Sequence, residues 1–319
     1  MTAVDRPRIG LVLGGGGLTG TAFHAGVISA LAESGGWDAR TAEVIVGTSA
    51  GSTSAALLRA GLPPSDFMAR MAGTPMSREG EQVLGGLGPL RQPQRHERPA
   101  RRPAAPGLLP SIARRPWRYR PGIAAAALLP EGNLAVDAGV SWIGDLFVDW
   151  PAKPMWICTV RLDDGVRVVF GHDATTSVRD AVTASCAIPG YFAPVVIEGR
   201  RHVDGGMWSI HNLDLVAGLG LDLVVVSAPM STADPLAAER GTLVRLPVRR
   251  RLDREADLVR AAGTPVLVVQ PDARLRAVMG TSTMRLSRRA PVAQATRALV
   301  GDLADAGGLD VLVAAARRG

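Results

Sequence analysis

A chain of 319 residues, 47% hydrophobic and 20% charged, can bury a large core and is too apolar for disorder throughout. Its net charge of +7 suits a polyanionic partner, yet nine arginines and one acid, Glu97, crowd between Pro89 and Pro121 and leave the rest nearly neutral. Cys158 and Cys186 alone exclude a disulfide framework, and both lie in apolar stretches where a reduced, buried thiol is expected.

Ile9 to Leu13 is a short branched apolar run that predicts a buried strand. Gly14 to Gly20 predicts a loop, and Thr21 to Glu33 then spaces Ala22, Ala25, Val27, Ile28 and Leu31 as a helix does. Val44 to Gly47 predicts a second strand and Ala50 to Arg59 a second helix, ended by Gly61 and Pro63. Such alternation calls for a mainly parallel sheet covered on both faces, a three-layer α/β/α sandwich, here within one domain over residues 1–319.

Residues 73–133 break the pattern with glycine, proline and arginine and read as an insertion, either a structureless surface excursion or a cover over a site. Leu134 to Phe147 predicts an amphipathic helix carrying Val136, Val140, Ile143 and Phe147. Pro154 to Leu162 and Val166 to Phe170 predict two strands about an Asp163-Asp164-Gly165 turn. Ser177 to Ala187 predicts a helix, and Pro194 to Val203 a pair of strands turning at Glu198-Gly199. Leu213 to Leu219 predicts a short helix, Leu221 to Ala228 and Pro265 to Gln270 strands, and Thr242 to Ala262 and Leu286 to Ala304 helices. The amino terminus lacks the long apolar core of a secretory leader, and no stretch has the roughly 18–20 apolar residues of a spanning helix, so a cytoplasmic protein is expected.

Three stretches carry chemistry. In "LVLGGGGLTG" a strand opens into a helix through glycines, so amides converge at the positive end of a helix dipole and suit an anion. Two anions fit. Gly15 to Gly20 matches the dinucleotide pattern G-x-G-x-x-G, with Asp38 near the place of the ribose acid, whereas the amides of Gly14, Gly15, Gly16 and Gly17 suit a developing oxyanion. In "VIVGTSAGS", Gly47, Ser49 and Gly51 form G-x-S-x-G, the elbow that exposes a serine hydroxyl where a strand breaks into a helix. A hydroxyl is nearly unreactive at neutral pH and needs a base within hydrogen-bond reach. In "RHVDGGMW", Asp204 ends a strand ahead of Gly205 and Gly206; a turn aspartate and a catalytic base both fit.

Together with "ASCAIPGYFAPV" at residues 184–195, these stretches resemble the patatin-like phospholipase family over residues 8–61 and about 154–230. The resemblance implies a serine acyl hydrolase with a dyad of Ser49 and Asp204, no histidine in the machinery, and an oxyanion loop at Gly14, Gly15, Gly16 and Gly17 that ends at Gly20. It departs from the family at Thr19, where a basic residue is frequent. The implied substrate is a fatty-acyl ester of a phospholipid or lysophospholipid. A carboxylesterase or thioesterase with the same dyad, and a non-catalytic lipid-binding relative, are the alternatives.

An aspartate that serves as base must be shielded from water, since burial raises its pKa toward neutrality. His211 follows Asp204 in the order of an α/β-hydrolase triad and offers a competing base. His202 lies two residues before Asp204, and His24 behind the glycine loop reads as packing or solvent-facing. No zinc-like spacing occurs, so neither a metal nor a cofactor is expected. The arginine-rich insertion is expected to touch an anionic membrane peripherally in preference to nucleic acid, because Trp117 and Tyr119 are its only base-stacking platforms. Nothing in the residues sets an oligomeric state.

Overall fold

A computed structural model describes residues 7–85, 102–234 and 240–317. Eight strands form one sheet: β1 (Ile9–Leu13), β2 (Val44–Gly47), β3 (Met155–Arg161), β4 (Val166–Phe170), β5 (Val195–Ile197), β6 (Arg200–Asp204), β7 (Leu223–Ser227) and β8 (Val266–Val269). Their order is β5-β6-β3-β2-β1-β7-β8, with β4 also paired to β3. From β3 through β8 the neighbours run parallel, whereas β4 and β6 both run antiparallel to β3.

The period of two along the strands separates the faces. Ile9, Leu11 and Leu13 of β1 and Leu223 and Val225 of β7 pack on one face, against α1 (Gly17–Glu33), α2 (Ala50–Arg59) and the helices Val178–Ser185 and Arg289–Asp305. Val12, Val224 and Val226 pack on the other, against Leu252, Ala256 and Val259 of the helix Arg240–Ala261. The result is the expected three-layer α/β/α sandwich. Its innermost helix is α1, buried from Ala22 to Leu31, and each of Phe23, Ile28 and Leu31 contributes roughly 1.5–3 kcal/mol of hydrophobic stabilisation.

The insertion differs from a structureless excursion wherever it is described. Helices Leu109–Arg114 and Pro121–Leu128 lie within it, and Ala104, Ala105, Leu108, Ile123, Ala126 and Ala127 pack on Val160, Leu162 and Val203 of the sheet region. The amides of Ala104 and Ala105 donate to Leu129 O and Ala127 O and close the excursion at its base. Small apolar side chains suffice to bury it, despite the prolines and arginines around them. Arg91, Arg95, Arg98 and Arg101 lie outside the described residues.

The helix expected over 134–147 is broken into Asp137–Val140 and a 3-10 segment, Ser141–Leu146. Glycine accounts for the break: a Cβ on Gly144 would stand 2.2 Å from Arg179 Cβ, so the chain hugs the next helix and leaves helical geometry. Val136 and Ile143 are nonetheless buried as expected. Helices at Pro64–Ala72, Ala273–Met279 and Asp310–Ala316 have no counterpart in the sequence reading. Among the described residues no helix is long and apolar enough to cross a membrane.

Candidate active site

Register along β3 brings the two halves of the site together. β4 pairs with Ile157 through Arg161 on one edge of β3, so β2, which pairs at Ile157, and β6, which pairs at Thr159 through Arg161, share the other edge. β2 runs with β3 and stops at Gly47 opposite Ile157; β6 runs against it and stops at Asp204 opposite Thr159. Two strands thus point their carboxyl ends at each other across the level of Cys158. Ser49 follows one end and Asp204 is the other.

At the elbow Ser49 adopts φ 52° and ψ −119°, a conformation a non-glycine residue takes at a cost of about 1–3 kcal/mol. Its amide donates to Ser185 Oγ at 2.9 Å, and that hydroxyl donates to Cys158 O at 2.7 Å, in the gap between the strand ends. Its carbonyl accepts from the Ser52 amide at 2.8 Å and Ser52 Oγ at 2.6 Å. Gly51 must be glycine, since a Cβ there would lie 1.9 Å from Leu13 O, where α2 starts against the end of β1.

Asp204 is 4% exposed and Ser49 5%. The Ser49 hydroxyl lies near enough to the Asp204 carboxylate to lower its pKa, and Asp204 Oδ1 accepts from the Gly206 amide at 2.7 Å. Burial raises the Asp204 pKa from 3.8 to about 6 against the lowering effect of the Ser49 hydroxyl and the Gly206 amide. Gly205 fits where a Cβ would meet Cys158 O at 2.3 Å, so the D-G-G turn sits directly on β3.

The four glycines expected to line an oxyanion hole divide into two pairs. Gly14 and Gly15 already donate their amides to Ser227 O at 3.0 Å and Ile210 O at 2.9 Å, so they hold the loop and cannot serve a ligand. The Gly16 and Gly17 amides have no protein acceptor among the described residues, and neither has that of Ala50, the residue after Ser49. Gly20 closes the loop by donating to Gly16 O at 2.8 Å. Thr19 is buried, with its amide on Thr283 O at 3.0 Å and its hydroxyl on Gly16 O at 3.4 Å. Where a basic residue is frequent, this chain has a hydroxyl that braces the loop.

Among the described residues, none of His24, His202 and His211 is hydrogen-bonded to Ser49 or Asp204. His24 is fully buried between Ser227 Oγ and Gly14 O, both at 2.7 Å, and burial lowers its pKa from 6.5 to about 4. It pins the glycine loop as a neutral ring, and is neither solvent-facing nor simple packing. His211 is buried behind Gly14; its ring nitrogens have no protein partner, and desolvation lowers its pKa to about 3. His202 shares a hydrogen bond of 3.2 Å with the Thr159 hydroxyl. Asp38 precedes β2 and pairs with Arg40, at the opposite end of the parallel strands from the glycine loop, so the dinucleotide reading loses its ribose acid. Both cysteines are free and buried, and desolvation pushes each thiol up to about 12.

A model of the patatin-like phospholipase family matches residues 11–135 and 148–217, more than half of the chain. The chain belongs to the patatin-like phospholipase family. That family is one of lipid hydrolases, and the patatin-like segment contains both strand ends that meet at Cys158. Among solved structures it is similar to VipD from Legionella pneumophila, at 15% identity and a TM-score of 0.43, covering 95% of this chain and 67% of VipD. It is also similar to the type III effector ExoU, at 19% identity and a TM-score of 0.38, covering 96% of this chain and 54% of ExoU. ExoU in its heterodimer with SpcU, from Pseudomonas aeruginosa, gives 20% identity and a TM-score of 0.36 over 96% of this chain and 52% of that one. The patatin-like chain thus spans about half the length of ExoU.

Sequence reasoning missed Ser185 as the strut beneath Ser49, although it lies in the "ASCAIPGYFAPV" block that carries part of the family resemblance. It also missed the Ala50 amide and the contact between the insertion and the D-G-G turn. A cavity of about 600 Å³ opens beside Trp150, Thr176 and Arg179, at the far end of the helix that carries Ser185; neither Ser49 nor Asp204 lines it.

Proposed function

We propose that this protein hydrolyses fatty-acyl esters of phospholipids or lysophospholipids, with Ser49 as nucleophile and Asp204 as general base. The observation that carries the reading is a buried aspartate, held near pKa 6 by burial, with the buried Ser49 hydroxyl beside its carboxylate. An exposed carboxylate near its ordinary value would be too weak a base, whereas one near 6 is ionised at neutral pH and accepts a proton with less penalty.

Asp204 takes the hydroxyl proton as Ser49 Oγ bonds to the ester carbonyl carbon. The carbonyl oxygen becomes an oxyanion, for which the unpaired amides of Gly16, Gly17 and Ala50 are the available donors. Collapse of the tetrahedral species breaks the bond to the leaving alkoxide, which takes the proton from Asp204 and departs as the alcohol. Water then attacks the acyl-serine, giving its proton to Asp204, and the fatty acid leaves as Ser49 recovers its own. Val136, Cys186, Ala187 and Phe192, with Met284 beside them, form an apolar cluster next to the elbow that suits an acyl chain. Cys186 Sγ lies 3.5 Å from Ser49 O, which ties that cluster to the nucleophile.

The test is labelling with a fluorophosphonate probe alongside turnover of phospholipid vesicles, acyl-coenzyme A and short soluble esters. Wild-type protein is labelled and favours the lipid, while Ser49→Ala is unlabelled and loses activity on the order of 10⁶-fold. An unlabelled wild-type protein would establish a non-catalytic role. Preference for acyl-coenzyme A or short esters would replace the phospholipid by a soluble acyl substrate.

A further inference from the structure

The described part of the insertion forms a small packed body with one unusual surface. From Arg102 to Pro130 it carries five arginines and no acid. Ala113 through Arg118 are exposed without interruption, and Trp117 is 79% exposed at their tip. Arg114, Arg115 and Arg118 form no ion pair among the described residues. An indole left in water beside three unpaired guanidiniums is unfavourable for a surface that meets nothing.

This knuckle is fastened to the catalytic turn. Arg120 stacks on the Trp208 ring at 3.9 Å from its centroid and donates to Trp208 O at 2.7 Å, four residues past Asp204. A Cβ on Gly122 would lie 2.4 Å from Met207 O, so the helix Pro121–Leu128 touches the D-G-G segment at backbone distance. Leu128 and Leu129 at its other end are 60% and 42% exposed, and Leu129 lies against Gly190 beside Tyr191, itself 42% exposed. Exposed apolar side chains therefore flank both ends of the helix that braces Asp204.

We propose that residues 109–120 are a docking knuckle for an anionic lipid surface, with Trp117 entering the interface and Arg114, Arg115 and Arg118 meeting lipid phosphates. The aromatic ring suits the headgroup level and the guanidiniums suit the negative surface potential. Nucleic acid fits less well, because the exposed Leu128 and Leu129 give no phosphate contact and a single exposed indole makes no stacking series. Docking serves the lipid-hydrolase reading of the site, on which its purpose rests, but it is measured without catalysis.

The experiment is cosedimentation of full-length Ser49→Ala protein with vesicles of phosphatidylcholine alone or containing phosphatidylglycerol, at low and high salt. Binding is expected to the anionic vesicles, weakening with salt. Replacing Arg114, Arg115 and Arg118 together by Gln lowers that affinity roughly 100-fold at low salt, and Trp117→Ala lowers it several-fold at any salt. In the Ser49 background, soluble-ester turnover and thermal midpoint of the same variants stay at wild-type values, which separates lost docking from lost folding. Unchanged vesicle affinity in both variants overturns the proposal, as does arginine-dependent binding of single-stranded RNA without vesicle binding. If Ser49→Ala protein docks while wild-type protein cleaves no ester, docking stands and the hydrolase reading falls.

Discussion

The sheet has two halves that meet along β3, and they are built on opposite principles. The half from β2 to β8 is parallel, covered on both faces and packed at backbone distance, as at Gly51 against Leu13 O. The half with β4, β5 and β6 is antiparallel and runs through tight turns, such as Glu198-Gly199 with φ of 50° and 74°. The parallel half supplies the serine elbow and the glycine loop; the antiparallel half supplies Asp204. The pair therefore exists only where strand direction reverses, because only there can two carboxyl ends converge on one level of a third strand.

The largest expected effect comes from the antiparallel side. Asp204→Asn lowers kcat/KM on the order of 10³ to 10⁴-fold by removing the base, and it should stabilise the fold. A carboxyl that titrates at 3.8 unfolded and about 6 folded binds its proton more tightly when folded, so stability is lost as pH rises through that interval and stays lost above it. Removing the charge returns on the order of 2 kcal/mol near neutral pH, to be read from denaturant midpoints. A loss of stability in this variant would contradict a strained, desolvated carboxylate. In wild-type protein kcat/KM should fall as pH drops below about 6, as the base becomes protonated.

On the parallel side, Gly51→Ala forces a methyl into Leu13 O and costs at least about 3 kcal/mol, whereas Gly199→Ala, with open space but φ 74°, costs only about 1 kcal/mol. Equal costs by chemical denaturation would dissolve the contrast between the halves. Ser185→Ala tests the seam itself. It strands the Ser49 amide and Cys158 O together and should cost about 2 kcal/mol. As a positioning change it should lower kcat at least tenfold with little effect on KM; Ser185→Thr, which keeps the hydroxyl, should restore part of it.

The smallest effect is a pH slope. His24 and His211 have pKa values depressed from 6.5 to about 4 and about 3, so the unfolded chain binds their protons first and stability is lost as pH falls below 6.5. Asp204 works in the opposite sense between 3.8 and about 6. The two imidazoles outweigh the one carboxylate, leaving a net loss of roughly 1 kcal/mol per pH unit between pH 6 and 4. Asp204→Asn removes the opposing term and should steepen that slope to about twice its value, which urea titrations at a series of pH values measure.

Much of this was legible from residues alone. Short branched runs at Ile9–Leu13, Val44–Gly47 and Leu223–Ser227, each followed or preceded by turn glycines, are local signals of buried parallel strands, and the period of two assigns their side chains to faces. The serine elbow and the D-G-G turn were visible as motifs because tight turns demand glycine at fixed offsets. The helix expected over 134–147 failed because its apolar spacing ignored Gly144, which tertiary packing draws against Arg179. Of the two readings of the insertion, the structureless one failed for residues 102–133, where a few alanines and leucines with partners on β3 and β6 pack into a small core despite the prolines and arginines.

Local chemistry in the chain thus determined most of the strands, which faces they bury and where the serine elbow and D-G-G turn lie. Tertiary structure decided that Gly14 and Gly15 spend their amides on Ser227 and Ile210 while Gly16 and Gly17 keep theirs. It also decided that a serine hydroxyl braces the elbow and that Asp204 is buried deeply enough for its pKa to rise to about 6. Register between distant strands, the partner of each amide and the water excluded from a carboxylate all depend on groups far away in the chain, and no local pattern encodes them.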